Sequence, residues 1–474
     1  MQTWLQTQVA KNRKGIAIRF NDEFYTFSEV YDLVNIKKNK LISLIGNNKR
    51  VALIGKNSLE MYFTILSLWE LNREIVFLNF RLTRKELLFQ LNEAQTKIVL
   101  GDEEQKEKLK KIAFYPFEKI DQISVIHSIQ NEIHTPTNNA SIMFTSGTTG
   151  NPKGVIQTFD NHYASCMATQ KNLKLSSEDE WACATPLIHI SGLSIICRSL
   201  ILGLTVHLMS SFDEIYLTKE LQKGQITVVS VVSVMLEKLM SIYPKEGYSD
   251  NFRIMLVGGG SVPLHLIETC HKNHVSVVQS FGMTETCSQV IALNEHDAKS
   301  KIGASGLPLE GISLKIGNPK NRIGEIWLKG PQVITNYLKE TKAWTSDGWF
   351  KTGDLGYLDD EGYLYVKSRL NELIISGGEN IYPAELEQAF LENVEIQEIA
   401  VVGKKDITWG AIPIAFIVTN LSEKELDSFG QDRLAKFKLP KEWYFLKQLP
   451  RTTSGKINKS HLMKELKKYE KRTN

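Results

Sequence analysis

The residues with the clearest chemical potential form one loop, Thr145-Ser146-Gly147-Thr148-Thr149-Gly150-Asn151-Pro152-Lys153-Gly154. An apolar run, Ala140 to Phe144, precedes the loop and is typical of a short buried strand, while helical spacing resumes after Asn161. The glycines let successive backbone N–H groups turn toward one point, the hydroxyls add donors, and Lys153 adds a mobile positive charge. The loop therefore predicts a polyphosphate site. Its spacing is not that of P-loop NTPases, because Gly154 follows the lysine, and composition alone leaves a flexible surface turn as the alternative.

Two further segments follow predicted strands: Gly258-Gly259-Gly260 after Arg253–Val257, and Ser280-Phe281-Gly282-Met283-Thr284-Glu285-Thr286 after Val275–Gln279. The glycines would allow close backbone approach to a flat ligand. Glu285 is a hard carboxylate that suits Mg²⁺, and Thr284 can donate to a phosphate oxygen. In isolation these residues indicate only a polar turn. Together with the first loop they predict an ATP–Mg²⁺ site.

A histidine and an arginine stand out in the segment that follows. His189 comes after a strand-like run, Trp181 to Leu187, and would lie at the carboxyl edge of a sheet, where open α/β folds bind ligands. The alternative for His189 is a hydrogen-bonded core histidine. Arg198 lies nine residues later in an apolar helix, so it needs an anionic partner or an exit to solvent. That partner is either a substrate carboxylate or a carboxylate of the protein.

Residues 300–367 indicate a small antiparallel β unit. Asp359-Asp360-Glu361-Gly362 is a hairpin turn signal between two apolar runs. Lys351-Thr352-Gly353-Asp354 comes just before it, and an aspartate in a glycine turn can accept both hydroxyls of a ribose. An ordinary Asp-turn is the alternative at Asp354.

Composition sets the class of protein. The chain has 474 residues, a net charge of +4, and 42% hydrophobic and 23% charged residues, which is typical of a soluble protein of two to four domains. This small charge argues against a protein built to hold nucleic acid. The most apolar stretch, Leu193 to Met209, contains Arg198 and His207, which favours buried core over a membrane span. Five scattered cysteines and no visible secretory signal predict a cytoplasmic location.

The order of elements predicts how the chain is divided. Residues 1–140 alternate strands and helices, which predicts a mostly parallel, helix-covered sheet that we interpret as scaffold. We expect a large domain over residues 1–370 and a small α+β domain over residues 371–474, with the boundary near Asn371. The basic helix from Ser460 to Arg472 indicates a solvated face and no nucleic-acid role.

The motifs occur in the order of one known superfamily. The Thr145–Gly154 loop, the Gly258 triplet, Met283-Thr284-Glu285, Thr352-Gly353-Asp354, Arg369, Gly377-Gly378-Glu379 and Gly455-Lys456 resemble the adenylate-forming enzymes. This superfamily contains acyl-CoA synthetases, luciferases and adenylation domains. The resemblance implies two mostly parallel helix-covered sheets, a small β-barrel-like unit and a small mobile C-terminal domain.

Three stretches resemble one family within it, the 2-succinylbenzoate–CoA ligases of menaquinone biosynthesis: Ser141–Thr145, His189–Ser194 and Gly282–Gln289. The family's reaction has two steps, in which a carboxylate attacks the α-phosphorus of ATP and CoA thiol then attacks the acyl-adenylate. The resemblance thus implies an acid–thiol ligase that uses ATP, Mg²⁺ and coenzyme A.

Residue roles carry over by position. The Thr145–Lys153 loop would hold the β- and γ-phosphates, Thr284 the α-phosphate and Glu285 the Mg²⁺, while Lys456 would bridge the attacking carboxylate and the α-phosphate. The glycine segments at Gly259, Gly260 and Ser280–Gly282 would line the nucleotide and acyl pocket, Asp354 and Arg369 would bind the ribose, and Gly378 would belong to the face presented for the thiol. His189 would line the acyl pocket, and Arg198 is the candidate for a second substrate carboxylate.

Three points stay open at this level. The family's pivot between domains is usually Asp or Lys, and Asn371 occupies that place here, whereas Lys459 keeps the basic residue that usually follows the lysine motif. A ligase for another aromatic or fatty acid and a catalytically silent ATP-binding module are the rival functions. The oligomeric state has no signal in the sequence.

Overall fold

The structure is a computed structural model, and it describes residues 2–125, 134–145, 152–260, 262–294, 296–339, 342–376, 379–452 and 455–470. The helices of this part are α1 (Trp4–Lys11), α2 (Phe27–Ile45), α3 (Leu59–Glu70), α4 (Arg84–Glu93), α5 (Phe117–Ile120), α6 (Phe159–Leu173), α7 (Ile190–Leu202), α8 (Glu214–Lys223), α9 (Ser233–Ser241), α10 (Leu264–Lys272), α11 (Pro383–Phe390), α12 (Glu423–Gln431) and α13 (Lys459–Glu470). None of them combines the length and apolarity that a membrane crossing requires.

The strands of the same ranges are β1 (Ile16–Phe20), β2 (Glu23–Thr26), β3 (Arg50–Ile54), β4 (Glu74–Leu78), β5 (Ile98–Gly101), β6 (Ala113–Pro116), β7 (Asn139–Thr145), β8 (Lys153–Thr158), β9 (Glu180–Cys183), β10 (Thr205–Leu208), β11 (Val228–Val231), β12 (Ile254–Val257), β13 (Val277–Met283), β14 (Ser288–Ala292), β15 (Leu307–Pro308), β16 (Ser313–Lys320), β17 (Ile323–Lys329), β18 (Phe350–Leu358), β19 (Leu364–Arg369), β20 (Ile374–Ser376), β21 (Glu379–Ile381), β22 (Ile396–Asp406), β23 (Gly410–Thr419) and β24 (Trp443–Phe445).

Two large sheets form the first part of the chain. One has six strands in the order β6-β5-β3-β4-β7-β8, and the other has nine in the order β15-β14-β13-β12-β11-β9-β10-β1-β2. Their central pairs are parallel, whereas β7–β8, β13–β14, β14–β15 and β1–β2 are antiparallel. Strands β4, β9, β11 and β12 are buried along their whole length, as expected for strands covered on both faces. This confirms the predicted helix-covered parallel sheets.

Two smaller sheets follow. Strands β16 to β19 form an antiparallel meander, as predicted for residues 300–367, and β20 to β24 form a five-stranded sheet with α11, α12 and α13. The change from one sheet to the next falls between Arg369 and Ile374. A domain boundary near Asn371 stays a prediction, and this arrangement is consistent with it.

Three local predictions were wrong. The segment between β7 and the following helix was expected to be a loop, but it contains strand β8, in which Lys153 pairs with Thr145. The helix predicted after Asn161 is present and begins at Phe159, behind a capping box at Thr158. Residues Ser280 to Met283 are not a loop, because β13 continues through them and pairs with β14. Asp354 lies inside β18 rather than in a turn, although Gly353 beside it has a φ of 74°.

Gly306 joins the nine-stranded sheet to the meander. It pairs with Leu364 of β19 through an isolated bridge, and its φ is 115°. A Cβ on Gly306 would lie 1.9 Å from the carbonyl carbon of Ala292 in β14, so the two backbones touch where only glycine fits. The relative position of these two sheets, on which the site depends, therefore rests on this close approach.

We expect Gly306→Ala to lower the free energy of unfolding by more than about 4 kcal/mol, because backbone atoms cannot move aside for the new Cβ. Gly303→Ala is the matched control, since Gly303 has a φ of 83° but no atom within 4 Å of the added Cβ. It should cost only the left-handed backbone strain of roughly 1–2 kcal/mol. Thermal melting of both variants compares them, and equal losses would refute the role of the close approach.

Candidate active site

Glu285 lies next to Thr145, where the predicted phosphate loop begins. Its Oε1 accepts hydrogen bonds from Thr145 Oγ1 at 3.3 Å and from the Tyr337 hydroxyl at 3.0 Å. The Glu285 carbonyl accepts from the Ile334 N–H at 2.9 Å. Burial raises the pKa of Tyr337, and the Glu285 carboxylate raises it further. The carboxylate is thus held by neutral hydroxyl donors.

Lys153 stands on the other side of the same loop. It pairs with Thr145 across the β7–β8 ladder, and its Nζ lies 5.7 Å from the ring centroid of Tyr337. The predicted loop residues between them, Ser146, Gly147, Thr148, Thr149 and Gly150, lie outside the described residues, as does Gly378. The two ends of the loop nevertheless converge on Tyr337 and Glu285.

A buried hydrogen-bond chain positions Thr284. Gln157 Nε2 donates to the Thr284 carbonyl at 2.6 Å, and Ser141 Oγ donates to Gln157 Oε1 at 2.5 Å. His162 Nε2 lies 2.9 Å from Ser141 Oγ and must be its donor, because the serine hydrogen is already used. Burial lowers the pKa of His162 to about 3, helped by the charge of Arg198, so the ring is neutral. A motif search does not find Gln157, because its partner is the backbone carbonyl of a residue 127 positions away in the sequence.

Asp354 and Arg369 form an ion pair across two strands. They are paired residues in the β18–β19 ladder, and Arg369 Nε lies 2.7 Å from Asp354 Oδ1. Asp354 is 4% exposed, and its Oδ2 has no hydrogen-bond partner in the described ranges. A buried acceptor without a partner costs free energy, so this oxygen is suited to accept a ligand hydroxyl. This geometry fits the predicted ribose contact.

Burial raises the pKa of Asp354 to about 6. Arg369 and Lys456 oppose this rise, and Glu285 and Glu372 add to it. Burial has the larger effect because the Arg369 side chain is 42% exposed, so water screens its charge.

Lys456 reaches this group from the C-terminal end of the chain. Its Cε lies 3.5 Å from the position that a Cβ on Gly259 would occupy, and Gly259 has a φ of 86°. Desolvation lowers the pKa of Lys456 and Arg369 lowers it further, against the opposing effects of Asp354, Glu285 and Glu372. The side chain itself is exposed, so its ammonium group is accessible within a cleft of charged groups. Among the predicted site residues, Lys456 thus lies next to Gly259 and interacts electrostatically with Asp354, Arg369 and Glu285.

His189 is the N-cap residue of α7, beyond the end of β9. Burial lowers its pKa to about 4, and Arg81 and Lys456 lower it further, so the imidazole is neutral near pH 7. Its Nε2 lies 3.5 Å from Asn79 Nδ2. A neutral ring next to a lysine can line a pocket for an acid without adding charge.

Arg198 occupies a separate buried environment in α7. Only 1% of the residue is exposed, and its guanidinium lies 4.6 Å from the Trp181 ring centroid. Its hydrogen bonds go to neutral oxygens, those of Ser194, Thr169, Ser288 and Gln289.

In the described ranges, no carboxylate pairs with this charge, and two nearby donors, Arg198 Nε and Gln289 Nε2, have no partner. Of the two partners predicted for Arg198, a protein carboxylate is therefore not found among these residues. A buried cation that is held only by neutral oxygens, with unsatisfied donors on itself and on Gln289, is suited to an anion.

The predicted glycines serve different ends. Gly259 and Gly260 lie between β12 and α10, where Gly259 leaves room for Lys456. Gly282 has a packing role, because a Cβ there would lie 2.2 Å from the Ser288 carbonyl oxygen of β14. Ser280 Oγ donates to the Val257 carbonyl, and Phe281 packs against the core of the meander.

Comparison with known proteins identifies the class. The chain matches the AMP-binding enzyme family over residues 5–338 and the C-terminal domain of AMP-binding enzymes over residues 385–456. The chain therefore belongs to the AMP-binding enzyme family, which confirms the resemblance drawn from the ordered motifs. It is 47% identical over 479 residues to a 2-succinylbenzoate–CoA ligase from Enterococcus faecalis, and the match covers 98% of each chain.

Solved structures of o-succinylbenzoate CoA synthetase from Bacillus subtilis are also similar. The complex with the acyl-adenylate intermediate OSB-AMP has a TM-score of 0.92 at 35% identity and covers 98% of both chains. The complex with ATP and magnesium ion has a TM-score of 0.91 at 35% identity and covers 97% of this chain and 99% of that one. A double mutant bound to the product analogue OSB-NCoA has a TM-score of only 0.76, at 36% identity and 98% coverage of both.

We expect Gln157→Leu to slow adenylation, because the Thr284 carbonyl would lose its buried donor at a cost of about 1–3 kcal/mol. Gln157→Glu keeps the volume and the acceptor for Ser141 but removes the donor, so it should slow the reaction as well. Pyrophosphate exchange at saturating ATP and acid measures the effect. A variant that melts earlier but keeps the wild-type rate would show that Gln157 is only structural.

Nucleotide binding should weaken as pH falls through about 6. The pKa of Asp354 is raised from 3.8 to about 6, so the carboxylate accepts hydrogen bonds above that pH and is protonated below it. Titration calorimetry of AMP binding between pH 5 and 8 measures this. Asp354→Asn should bind weakly at every pH without the transition, and an unchanged transition in that variant would assign it to another group.

Proposed function

We propose that this chain is an AMP-forming acid–thiol ligase that joins 2-succinylbenzoate to coenzyme A with ATP. The observation that carries the proposal is the placement of Lys456 beside Gly259, Asp354, Arg369 and Glu285. The product, 2-succinylbenzoyl-CoA, belongs to menaquinone (vitamin K2) biosynthesis. We place the enzyme in the cytoplasm, which is consistent with five free, buried cysteines.

The site residues divide the first half-reaction between them. The Asp354 carboxylate accepts ribose hydroxyls, and the Thr145–Lys153 loop takes the β- and γ-phosphates. The Lys456 ammonium group stabilises the charge that develops on the α-phosphate as the carboxylate attacks. A donor placed in advance at such a position contributes roughly 3–4 kcal/mol to transition-state stabilisation.

The residues around Glu285 fit Mg²⁺. They offer the carboxylate and the Thr145 hydroxyl, both hard oxygen donors, and Mg²⁺ combines one or two carboxylates with phosphate oxygens. When bound, Mg²⁺ neutralises phosphate charge. Glu285 would hold the ion, and the neutral Tyr337 hydroxyl orients the carboxylate without competing for charge.

Arg198 is assigned to the substrate carboxylate that is not adenylated. Bound 2-succinylbenzoate presents two carboxylates, and only one of them is adenylated. Arg198 carries a buried charge without a carboxylate partner in the described ranges, and Gln289 next to it has a free amide donor. Charge-assisted hydrogen bonds from this pair would select an acid with a second carboxylate.

The small domain is assigned to residues 371–474, with Lys456 turned into the nucleotide site. Its orientation is consistent with the higher similarity to the acyl-adenylate complex than to the product-analogue complex. Rotation near Asn371 would withdraw Lys456 before thioester formation. Because Asn371 is uncharged, the ion pairs next to it are made by Arg369 and Glu372.

The test is pyrophosphate release with ATP, Mg²⁺ and 2-succinylbenzoate, benzoate or a medium-chain fatty acid, with and without CoA. We expect release with 2-succinylbenzoate and CoA-dependent AMP, and Lys456→Ala as the inactive control. Release only with another acid would keep the ligase and change the substrate. Silence with ATP still bound would favour an ATP-binding module.

Arg198→Met tests the assignment of the acid pocket. We expect the KM for 2-succinylbenzoate to rise about 10- to 100-fold, as for the loss of a charged hydrogen bond worth about 1.5–3 kcal/mol. The fold should persist, because the removed charge has no carboxylate partner that would be left behind. The KM for ATP is the internal control. An unchanged KM for the acid would exclude Arg198 from the pocket.

A further inference from the structure

Lys456 lies in a tight turn whose N-terminal side is held by hydrogen bonds and an ion pair. The Thr452 N–H donates to the Lys456 carbonyl at 2.6 Å, and Arg451 pairs with Ile457 through a bridge. Arg451 also reaches Glu398 of β22 at 2.6 Å. The first side of the turn is therefore anchored to the small sheet.

Lys459 fastens the other side. Its Nζ lies 2.9 Å from Glu372 Oε2 and 2.9 Å from Glu387 Oε1, and its side chain is 19% exposed. These carboxylates raise the pKa of Lys459 against the opposing effect of desolvation. Lys459 is the first residue of α13, where the helix dipole disfavours a cation. The position is tolerated because two carboxylates compensate for it.

Both partners of Lys459 are themselves fixed. Glu387 Oε1 accepts the Val401 N–H of β22 at 2.7 Å. The Glu372 N–H donates to the Arg369 carbonyl at 3.0 Å, and Arg369 is the ion-pair partner of Asp354. Glu372 also directly follows Asn371. Lys459 thus connects the turn that carries Lys456 to the chain segment next to the ribose-binding pair.

We propose that Lys459 is a positioning residue for the adenylation step, which holds the Lys456 turn through its double ion pair with Glu372 and Glu387. It contacts neither substrate nor nucleotide. This inference rests on the proposed ligase function and adds a residue to it. Because a misplacement of about 1 Å can cost on the order of 100-fold in rate, loss of one side of the turn should be visible in catalysis.

The first variant is Lys459→Met, which keeps the aliphatic stem and removes the charge. We expect the rate of ATP–pyrophosphate exchange at saturating ATP and 2-succinylbenzoate to fall by on the order of 100-fold, with little change in either KM. Lys459→Arg, which can still bridge two carboxylates, should recover most of the rate. Lys404→Met is the matched control, because it removes an ion pair between β22 and both oxygens of Glu442, away from the Lys456 turn.

A double variant separates positioning from general stability. In a Lys456→Ala background, Lys459→Met should cause no further loss, because the group that it positions is already absent. Thioester formation from preformed acyl-adenylate and CoA, a step that does not use Lys456, should proceed at the wild-type rate in Lys459→Met.

Four results would overturn the proposal. The first three are an unchanged exchange rate in Lys459→Met, an equal loss in Lys404→Met, and additive losses in the double variant. The fourth is equal slowing of both half-reactions, since it would indicate a general disturbance of the small domain. If the proposed ligase function itself is wrong, wild-type protein will release no pyrophosphate with 2-succinylbenzoate, which distinguishes this outcome from the four above.

Discussion

The site depends on one carboxylate at which distant segments of the chain meet. Glu285 accepts from Thr145 at the end of β7 and from Tyr337 in the segment before β18, and its carbonyl accepts from Ile334. The residue before it is held by Gln157 of β8. The two large sheets and the connection between β17 and β18 of the meander therefore meet at a single acidic residue. A cation bound there would act on all of these segments at once.

Charged and neutral side chains occupy different parts of the site. The cations Lys456 and Arg369 lie beside the buried Asp354, whereas His189 and the Tyr337 hydroxyl nearby are neutral. The cost of burying Asp354 appears as its raised pKa, which a ligand hydroxyl on the orphan oxygen would reduce. Desolvation and the charge of Arg369 lower the pKa of Lys456, whereas Asp354, Glu285 and Glu372 oppose this effect. These groups are arranged for a polyanion before one binds.

The sequence predicted much of this arrangement, for physical reasons that differ from residue to residue. The alternation of apolar runs and helical spacing predicted the parallel strands, because buried central strands require it. Strand β13 was cut short at Gln279, since Gly282 and the polar run Thr284 to Thr286 after it indicate a loop until β14 pairs with Ser280 to Met283. Asp354 was expected in a turn because a glycine precedes it, whereas the positive φ of Gly353 belongs to an irregularity in the β17–β18 pairing.

Gln157 and Lys459 act by holding other residues in place. No sequence motif reveals Gln157, and the motif that contains Lys459 does not indicate its partners. Their partners are a backbone carbonyl and two glutamates, and neither leaves a spacing pattern in the chain. Such residues become visible only when the hydrogen bonds of the site residues are followed outward. One path leads from Thr284 through Gln157 and Ser141 to the buried His162. The other leads from Lys459, next to the Lys456 turn, to Glu372 and Glu387. The contacts that hold Thr284 and those that hold the Lys456 turn therefore involve different residues, so substitutions at Gln157 and at Lys459 test them independently.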